Sequence, residues 1–270
     1  PFAAGLSPRS MAYALTVIGA MFRWLIEQRY VVANPFAGIK VRGGARSSPM
    51  DEGRVFSEGE WAIIRAVANG LEWSYGWKLP AAQRLRFVLD FAYATGLRSS
   101  EFVGATLGQI DTDVHGDHWL KLVGKGSKAG KVALPPLAKV ALDHYLMQRG
   151  VATTPAMWKP STPLIADLQN GGGSSRITSS RLWDVINRFF ITAADAIEAE
   201  SPKTAEKLRR ASPHWMRHTH ATHALARGAE LTTVRDNLRH ASVSTTSVYL
   251  HTDQVKRARQ MREAFGSPKG

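Results

Sequence analysis

The hydrophobic positions divide the chain into a series of predicted helices, interrupted once by a segment with strand periodicity. Near the amino terminus, Ser7 and Pro8 predict a helix start, and apolar residues follow at helical spacing. These residues are Met11, Leu15, Ile18, Phe22 and Leu25, with a second stripe at Ala14, Val17, Met21 and Trp24. The helix is therefore apolar around much of its circumference, and we expect Asn34-Pro35 to end it.

A capping box and a glycine stop delimit two helices in the middle of the chain. Ser57 and Glu60 predict a helix start, and a second helix is predicted over residues 81–95. Their core-facing residues are Trp61, Ile64 and Val67 in the first helix, and Leu85, Val88, Leu89 and Ala92 in the second. Gly96 supplies a left-handed stop, so Arg98 opens the next short helix.

The hydrophobic period changes towards two between Gln109 and Pro135. With turns at HGD and GKGSKAG, this pattern predicts a three-stranded antiparallel sheet and places Lys125 at a hairpin tip. Helices are predicted again over residues 136–148 and 181–197, and loops over residues 71–80 and 151–180. The polar, basic segment 198–212 is interpreted as a peripheral insertion.

The segment VRGGARSSPMDEGR, residues 41–54, is rich in glycine, serine and charge and is typical of an exposed linker. We therefore place a domain boundary there, with residues 1–47 and 48–270 as the two parts. Because the chain begins at Pro1 and not at methionine, we expect that something upstream is missing.

Composition favours a globular protein that binds a polyanion. Lys and Arg number 35 against 22 Asp and Glu, which gives a net charge of +13 and a pI near 10.3. Nucleic acid is the expected partner, although a merely solubilising positive surface is the plainer alternative. The absence of cysteine excludes disulfides, thiolate metal sites and cysteine nucleophiles. With no signal peptide pattern or apolar run of membrane-spanning length, we expect cytoplasmic residence.

The candidate chemistry is concentrated between residues 214 and 249. His214 and Arg217 are three residues apart, His240 follows, and Tyr249 comes nine residues later among small and hydroxylated neighbours. A phosphodiester under attack carries negative charge that a forked guanidinium and imidazole donors can stabilise. A tyrosine nucleophile would form a phosphoester that keeps the energy of the broken bond. The order of these residues therefore favours phosphoryl transfer.

At these residues the chain resembles the tyrosine recombinases, also called phage integrases. The matching segments are HWMRH with His214 and Arg217, LRH with His240, SVYLH with Tyr249, ATGLRSSE with Arg98 and Glu101, and GKGSK with Lys125. The resemblance spans about residues 34–265. It implies an α+β, mostly helical catalytic domain with a small three-stranded antiparallel sheet, preceded by the remnant of a helical, DNA-clamping domain.

The resemblance also implies a role for each residue. Tyr249 would attack a phosphodiester and form a 3′-phosphotyrosyl intermediate, while Lys125 would protonate the departing 5′ oxygen. The residues that would stabilise the phosphorane are Arg98, Arg217, His214 and His240. Glu101, His218 and His251 would support them, and Arg239 would contact DNA. Lys128 and Lys131 would also contact DNA phosphates, or would be merely exposed charges of the hairpin. Arg239 stands where the family usually has glycine.

The same resemblance implies the partners. Double-stranded DNA is the expected substrate, and no metal or cofactor is required because cationic side chains take the role of a divalent ion. We expect self-association on DNA as a tetrameric synapse. The segment after Tyr249 is predicted to be a helix with an apolar stripe at Val255, Ala258, Met261 and Phe265, which could exchange between subunits or pack on its own domain.

Plainer interpretations remain open. Arg98 and Glu101 could be solvated residues of a helix start, and Tyr249 an ordinary buried tyrosine. The histidines 214, 218, 220 and 223 could hold zinc, against which HWMRH lacks the glutamate of HExxH and contains an arginine. His214 could be a base or a phosphate ligand. A type IB topoisomerase would share the chemistry, and a catalytically idle DNA-binding regulator would share only the basic surface.

Overall fold

The computed structural model describes residues 6–41, 54–123, 129–168, 175–240, 242–247, 249 and 262. The chain divides into two compact units, Pro1–Pro49 and Met50–Gly270. Most of the predicted linker lies outside the described residues. None of the described helices is long and apolar enough to cross a membrane.

The described part of the first unit is dominated by helix α1, Pro8–Glu27. The predicted start is confirmed, because the Ser7 hydroxyl accepts a hydrogen bond from the Ser10 backbone N–H at 3.1 Å and Pro8 occupies the first turn. The predicted end at Asn34-Pro35 is wrong. The chain leaves the helix after Glu27, and Arg29 takes a left-handed conformation with φ of 63°.

The described part of the second unit combines ten α-helices with one small sheet. Its helices are α2 Glu58–Asn69, α3 Leu71–Ser74, α4 Leu79–Thr95, α5 Ser99–Gly104, α6 Pro136–Gln148, α7 Ser179–Ile197, α8 Pro202–Arg209, α9 Pro213–Ala226, α10 Leu231–Leu238 and α11 Val243–Ser247. The strands are β1 Ile110–Thr112, β2 His118–Val123 and β3 Ala129–Ala133, in antiparallel order β1-β2-β3. The predicted three-stranded sheet is therefore confirmed.

Helix α4 lies at the centre of the second unit and packs against α6, α9 and α2. Its predicted core stripe, Leu85, Val88, Leu89 and Ala92, is buried, and Gly96 ends it in the left-handed region with φ of 64°. The capping box of Ser57 and Glu60 at the start of α2 is also confirmed. Most buried apolar residues form one main core around α4. A small cluster is separate from it and consists of Ala221, Leu225, Val234, Leu238 and Tyr249.

Two local predictions need correction. The segment 71–80, predicted as a loop, contains helix α3 and the start of α4, and its Trp77 is buried. The segment 198–212 is not a peripheral insertion, because helix α8 packs against α7. Ala205 and Leu208 are buried in the main core. Helix α8 therefore packs on the interior although most of its residues are polar.

Candidate active site

Arg98 and Glu101 form a closed pair at the start of α5. The Glu101 carboxylate accepts hydrogen bonds from the Arg98 backbone N–H at 3.0 Å and from its guanidinium at 2.7 Å. Burial alone would raise the pKa of Glu101, but the bonds from Arg98 and the charge of Arg239 hold that pKa below its usual value. The carboxylate therefore stays ionised and orients Arg98, whose side chain remains 41% exposed.

Arg217 occupies the interior of α9, and the residue is only 3% exposed. Its guanidinium donates to the carbonyl of Gly96, after α4, and to the carbonyl of Leu238, the last residue of α10. Burial, with the nearby charge of Arg98, lowers the pKa of Arg217 to about 10. Gly96 lies two residues before Arg98, and its carbonyl binds Arg217. The left-handed turn at Gly96 therefore connects the two arginines that are expected to bind the same phosphate.

Tyr249 lies against α9 and is 5% exposed. Its hydroxyl is 2.8 Å from Nδ1 of His218. The ring of His218 is in turn edge to face with that of His214, with centroids 4.4 Å apart. Burial raises the pKa of Tyr249, and burial together with His214 and Arg217 lowers the pKa of His218 to about 4. At neutral pH, a protonated phenol therefore faces a neutral imidazole.

His240 follows α10, and its backbone N–H donates to the Arg235 carbonyl at 3.0 Å. Its Nδ1 lies 2.8 Å from the buried hydroxyl of Thr246 in α11. Burial, Arg217 and Arg98 lower the pKa of His240 to about 4, so it is neutral at pH 7. In the sequence, Thr246 is only one of the small, hydroxylated residues near Tyr249. In the structure, its hydroxyl orients the ring of His240.

Arg239 has a specific structural environment. It ends α10 in the left-handed region with φ of 52°, where glycine is usual, and its guanidinium pairs with Glu101. A Cβ on Gly130 in β3 would come 2.9 Å from Cδ of Arg239, so the arginine side chain lies directly over that glycine. Arg239 thus connects the β2–β3 hairpin to the carboxylate that orients Arg98. The contact with DNA expected for Arg239 stays a prediction.

The remaining predicted site residues are divided between described and undescribed parts of the chain. Lys131 lies on β3 with its ammonium 3.9 Å from the centre of the Trp119 ring. Lys125, Lys128, His251 and the apolar stripe of the predicted tail helix fall outside the described residues. Their roles stay predictions.

Two further histidines of α9 have structural partners. His220 contacts the Tyr93 carbonyl through Nδ1 at 2.7 Å, and His223 contacts the Phe56 carbonyl through Nε2 at 2.9 Å. The Phe56 backbone N–H also donates to the hydroxyl of Thr219. Within the described part of the chain, no group of three His, Asp or Glu side chains is placed to hold a metal ion.

Asn237 is a contact residue that sequence reasoning missed. Its side-chain oxygen accepts from the Ala133 backbone N–H at 2.9 Å, and its side-chain nitrogen donates to the Thr95 carbonyl at 3.2 Å. It therefore connects β3, α4 and α10. In the sequence, Asn237 is simply a polar residue next to an apolar leucine. That pattern is too common to identify a contact residue.

Comparison with known proteins identifies the chain. The phage integrase family model matches residues 75–256. The tyrosine recombinase XerD of Bifidobacterium longum is 33% identical over 250 residues, covering 92% of this chain and 73% of the relative. The tyrosine recombinase XerC of Yersinia pestis is 32% identical over 250 residues, covering 93% and 71%.

Solved structures share the fold at lower identity. The integrase of transposon Tn1549, in complex with transposon right end DNA, has a TM-score of 0.63 at 18% identity, covering 97% of this chain and 81% of its own. The recombinase XerH, bound to palindromic difH substrate, has a TM-score of 0.60 at 21% identity, covering 84% of this chain. This chain spans 57% of the length of XerH.

The fold and the site define a protein of the tyrosine recombinase class, in which arginines and histidines surround a tyrosine. The chain belongs to the phage integrase family. It is a tyrosine-type site-specific recombinase, and the predicted fold class is confirmed.

Proposed function

We propose that Tyr249 cleaves DNA and holds the broken strand as a 3′-phosphotyrosyl ester until a second strand replaces it. The observation that supports this is the Tyr249 hydroxyl, 2.8 Å from a histidine on the helix that also carries Arg217. The phenol oxygen attacks phosphorus and the bond to the 5′ oxygen breaks. A 5′ hydroxyl from another strand then attacks the ester and releases the tyrosine.

Arg98 and Arg217 are proposed to hold the non-bridging oxygens of the scissile phosphate. Their guanidinium groups already have fixed directions, set by Glu101 for Arg98 and by two carbonyls for Arg217. Donors that are oriented before the reaction need no reorganisation when charge develops on the phosphorane. His240 and His214 are proposed as additional phosphate ligands.

A nicked suicide duplex that carries candidate sites tests this function, because loss of the short 5′ fragment prevents religation. The wild-type protein should form a covalent adduct that withstands denaturation, and Tyr249→Phe should form none while binding DNA nearly as well. An adduct that persists in Tyr249→Phe would mean that another residue attacks. Supercoil relaxation without site preference would favour topoisomerase activity, and site binding without any adduct would favour a regulator.

Lys125 is proposed as the general acid, on the resemblance of GKGSK to the family's hairpin lysine. Sulfur in place of the 5′ bridging oxygen leaves as a thiolate that needs no proton. Lys125→Ala should therefore cleave normal DNA slowly and recover on the sulfur substrate, whereas Arg98→Ala and Arg217→Ala should recover much less. Rescue of Lys128→Ala instead would move the assignment to that residue.

The proposed assembly is a tetramer on two duplexes. Each chain carries one Tyr249, and exchange between two duplexes breaks four strands, so four chains are needed. Exchange of the segment after Tyr249 is proposed to join neighbouring subunits. Residues 1–47 are proposed to belong to a DNA-clamping domain, supported by the exposed Met11, Val17, Met21 and Trp24 of α1. Such a protein would work in the cytoplasm at the nucleoid of a bacterial or phage-type host.

A further inference from the structure

We infer that His218 is a further catalytic residue, the base that accepts the proton of the Tyr249 hydroxyl as that oxygen attacks phosphorus. The inference rests on the proposed function of Tyr249. The sequence predicts only a supporting role for His218. The structure puts one of its ring nitrogens at hydrogen-bond distance from the reacting oxygen.

Geometry distinguishes His218 from its neighbour His214. Nδ1 of His218 is 2.8 Å from the tyrosine hydroxyl, a short hydrogen bond between side chains 31 residues apart. His214 is more exposed, and its ring lies against the ring of His218. His214 is thus available to a phosphate oxygen, while His218 meets the nucleophile.

The helix holds His218 firmly at that position. Next to it, Thr219 accepts a hydrogen bond from the Phe56 backbone N–H at 3.1 Å, and one turn later His223 contacts the Phe56 carbonyl at 2.9 Å. On its other side, Arg217 is fixed by two carbonyls. A base must be held within hydrogen-bond reach of its proton, and these contacts fix the helix on both sides of His218.

The protonation states of Tyr249 and His218 at neutral pH also suit a proton transfer from the phenol to the imidazole. Tyr249 is buried and its pKa is raised, so the attacking oxygen starts as a phenol and needs an acceptor for its proton. Burial, and then the neighbouring groups His214, Arg217, Arg54 and His240, lower the pKa of His218 to about 4. His218 is therefore neutral at pH 7. With the ring proton on Nε2, its Nδ1 accepts the hydrogen bond from the phenol.

The step balances in both directions. On cleavage, the Tyr249 oxygen bonds to phosphorus, its proton passes to Nδ1 of His218, and the 5′ oxygen leaves with a proton from the general acid. The imidazolium then carries a positive charge beside the phosphoester. On religation, the incoming 5′ hydroxyl returns its proton to the general acid as its oxygen bonds to phosphorus, the bond from phosphorus to the tyrosine oxygen breaks, and His218 returns its proton to that oxygen.

His218→Asn tests the assignment, because the amide can still hydrogen-bond to the phenol but cannot take its proton. Single-turnover cleavage of the suicide duplex should fall about 10²- to 10⁴-fold, the usual contribution of a general base, with DNA binding unchanged. Between pH 7 and 9 the wild-type rate should be nearly flat. The rate of His218→Asn should rise about tenfold per pH unit, because attack then requires prior ionisation of the phenol.

A fluorinated tyrosine at position 249, with a lower phenol pKa, separates catalysis from structure. It should accelerate His218→Asn several-fold more than it accelerates the wild-type protein. The matched control is His220→Asn, which removes an imidazole from the same helix where the partner is a backbone carbonyl. Any slowing in that variant should show neither the pH slope nor the rescue.

Three outcomes would overturn the inference. These are His218→Asn cleaving at the wild-type rate, slow cleavage with a flat pH profile, and equal rescue of His218→Asn and His220→Asn. Failure of the proposed function itself would look different, since the wild-type protein would then form no tyrosine adduct. If His214→Asn alone showed the pH slope and the rescue, the base would be His214.

Discussion

The arginine side and the tyrosine side of the site differ in how much buried apolar packing supports them. Arg217 follows Trp215 and Met216 of the main core on α9, and its guanidinium is held by the carbonyl of Gly96 after α4 and by that of Leu238 at the end of α10. Tyr249 belongs to the small cluster of five buried residues, and the adjoining helix α11 is only five residues long. Packing therefore fixes the arginine side more strongly than the tyrosine side.

That difference matches the two tasks proposed for these residues, stabilising charge and attacking phosphorus. Groups that stabilise developing charge act best when they are already oriented, so they belong on the rigid part of the molecule. A nucleophile must approach phosphorus and later withdraw from it, and a segment with little apolar burial opens at lower free-energy cost. We therefore expect the two sides to respond differently to the same kind of substitution.

Arg217→Lys should give the largest effect on cleavage. A lysine keeps the charge, but it cannot contact two carbonyls and a phosphate in fixed directions as the guanidinium fork does. Single-turnover cleavage should fall about 10²- to 10³-fold, as for the loss of one preorganised donor. If Arg217→Lys cleaved as fast as the wild-type protein, rigid anchoring of the arginine side would be irrelevant to catalysis.

Matched leucine truncations compare the two packing regions directly. Leu89 in the main core and Leu238 in the small cluster are both fully buried. Leu89→Ala should lower the free energy of unfolding by about 2–5 kcal/mol, measured by urea denaturation. Leu238→Ala should cost less globally but increase hydrogen exchange over residues 231–247 and slow cleavage. Equal global losses, with unchanged exchange at α10 and α11, would contradict the comparison.

Gly130→Ala and Arg239→Gly test the contact that joins the hairpin to the arginine side. The new Cβ in Gly130→Ala would lie 2.9 Å from Cδ of Arg239, whose guanidinium is held by Glu101. The alanine should therefore destabilise the protein, and much less so when Arg239 is glycine. We expect a coupling free energy of about 1–2 kcal/mol from a double-mutant cycle in urea. Strict additivity would mean that the two residues do not constrain each other.

The pH dependence of stability gives the smallest predicted effect. The pKa values of His218, His220 and His240 are lowered to about 4, below the ordinary value of 6.5. Between these limits the unfolded chain binds more protons, so stability is complete above pH 6.5 and falls as the pH drops towards 4. His220→Asn should reduce the loss between pH 7 and 5 by about 1 kcal/mol, measured by urea denaturation. An unchanged loss would contradict burial of a neutral imidazole there.

Local signals in the sequence predicted most of the fold. The caps at Ser7 and Ser57, the stop at Gly96 and the period of two before Pro135 each depend on a few neighbouring residues, so spacing alone shows them. Helix α8 was not predicted because only two of its residues, Ala205 and Leu208, are buried apolar positions, which is too few to give a clear hydrophobic period among the charged residues. The end of α1 was missed because Asn34-Pro35 is a strong stop signal, whereas the left-handed turn at Arg29 is not typical of arginine.

The sequence names candidate site residues, but it does not show which of them are in contact. The motifs name Arg98, Arg217 and Tyr249, and in the structure Arg217 interacts electrostatically with both Arg98 and Tyr249. Spacing cannot show that His218, and not His214, meets the tyrosine hydroxyl, because the two segments are joined only by tertiary packing. The position of Arg239 over Gly130 depends in the same way on how a hairpin packs against a helix end.

The sharing of Glu101 has a thermodynamic consequence. Two arginines, Arg98 and Arg239, pair with this one carboxylate while Arg217 stands close by, so positive charge exceeds negative charge in a largely buried region. The depressed pKa of Arg217 is in part a sign of that imbalance. A ligand that binds only the folded chain raises its stability, and a phosphate at this place also supplies the negative charge that the fold lacks. Folding and substrate binding are therefore linked, and DNA should raise the melting temperature of the protein.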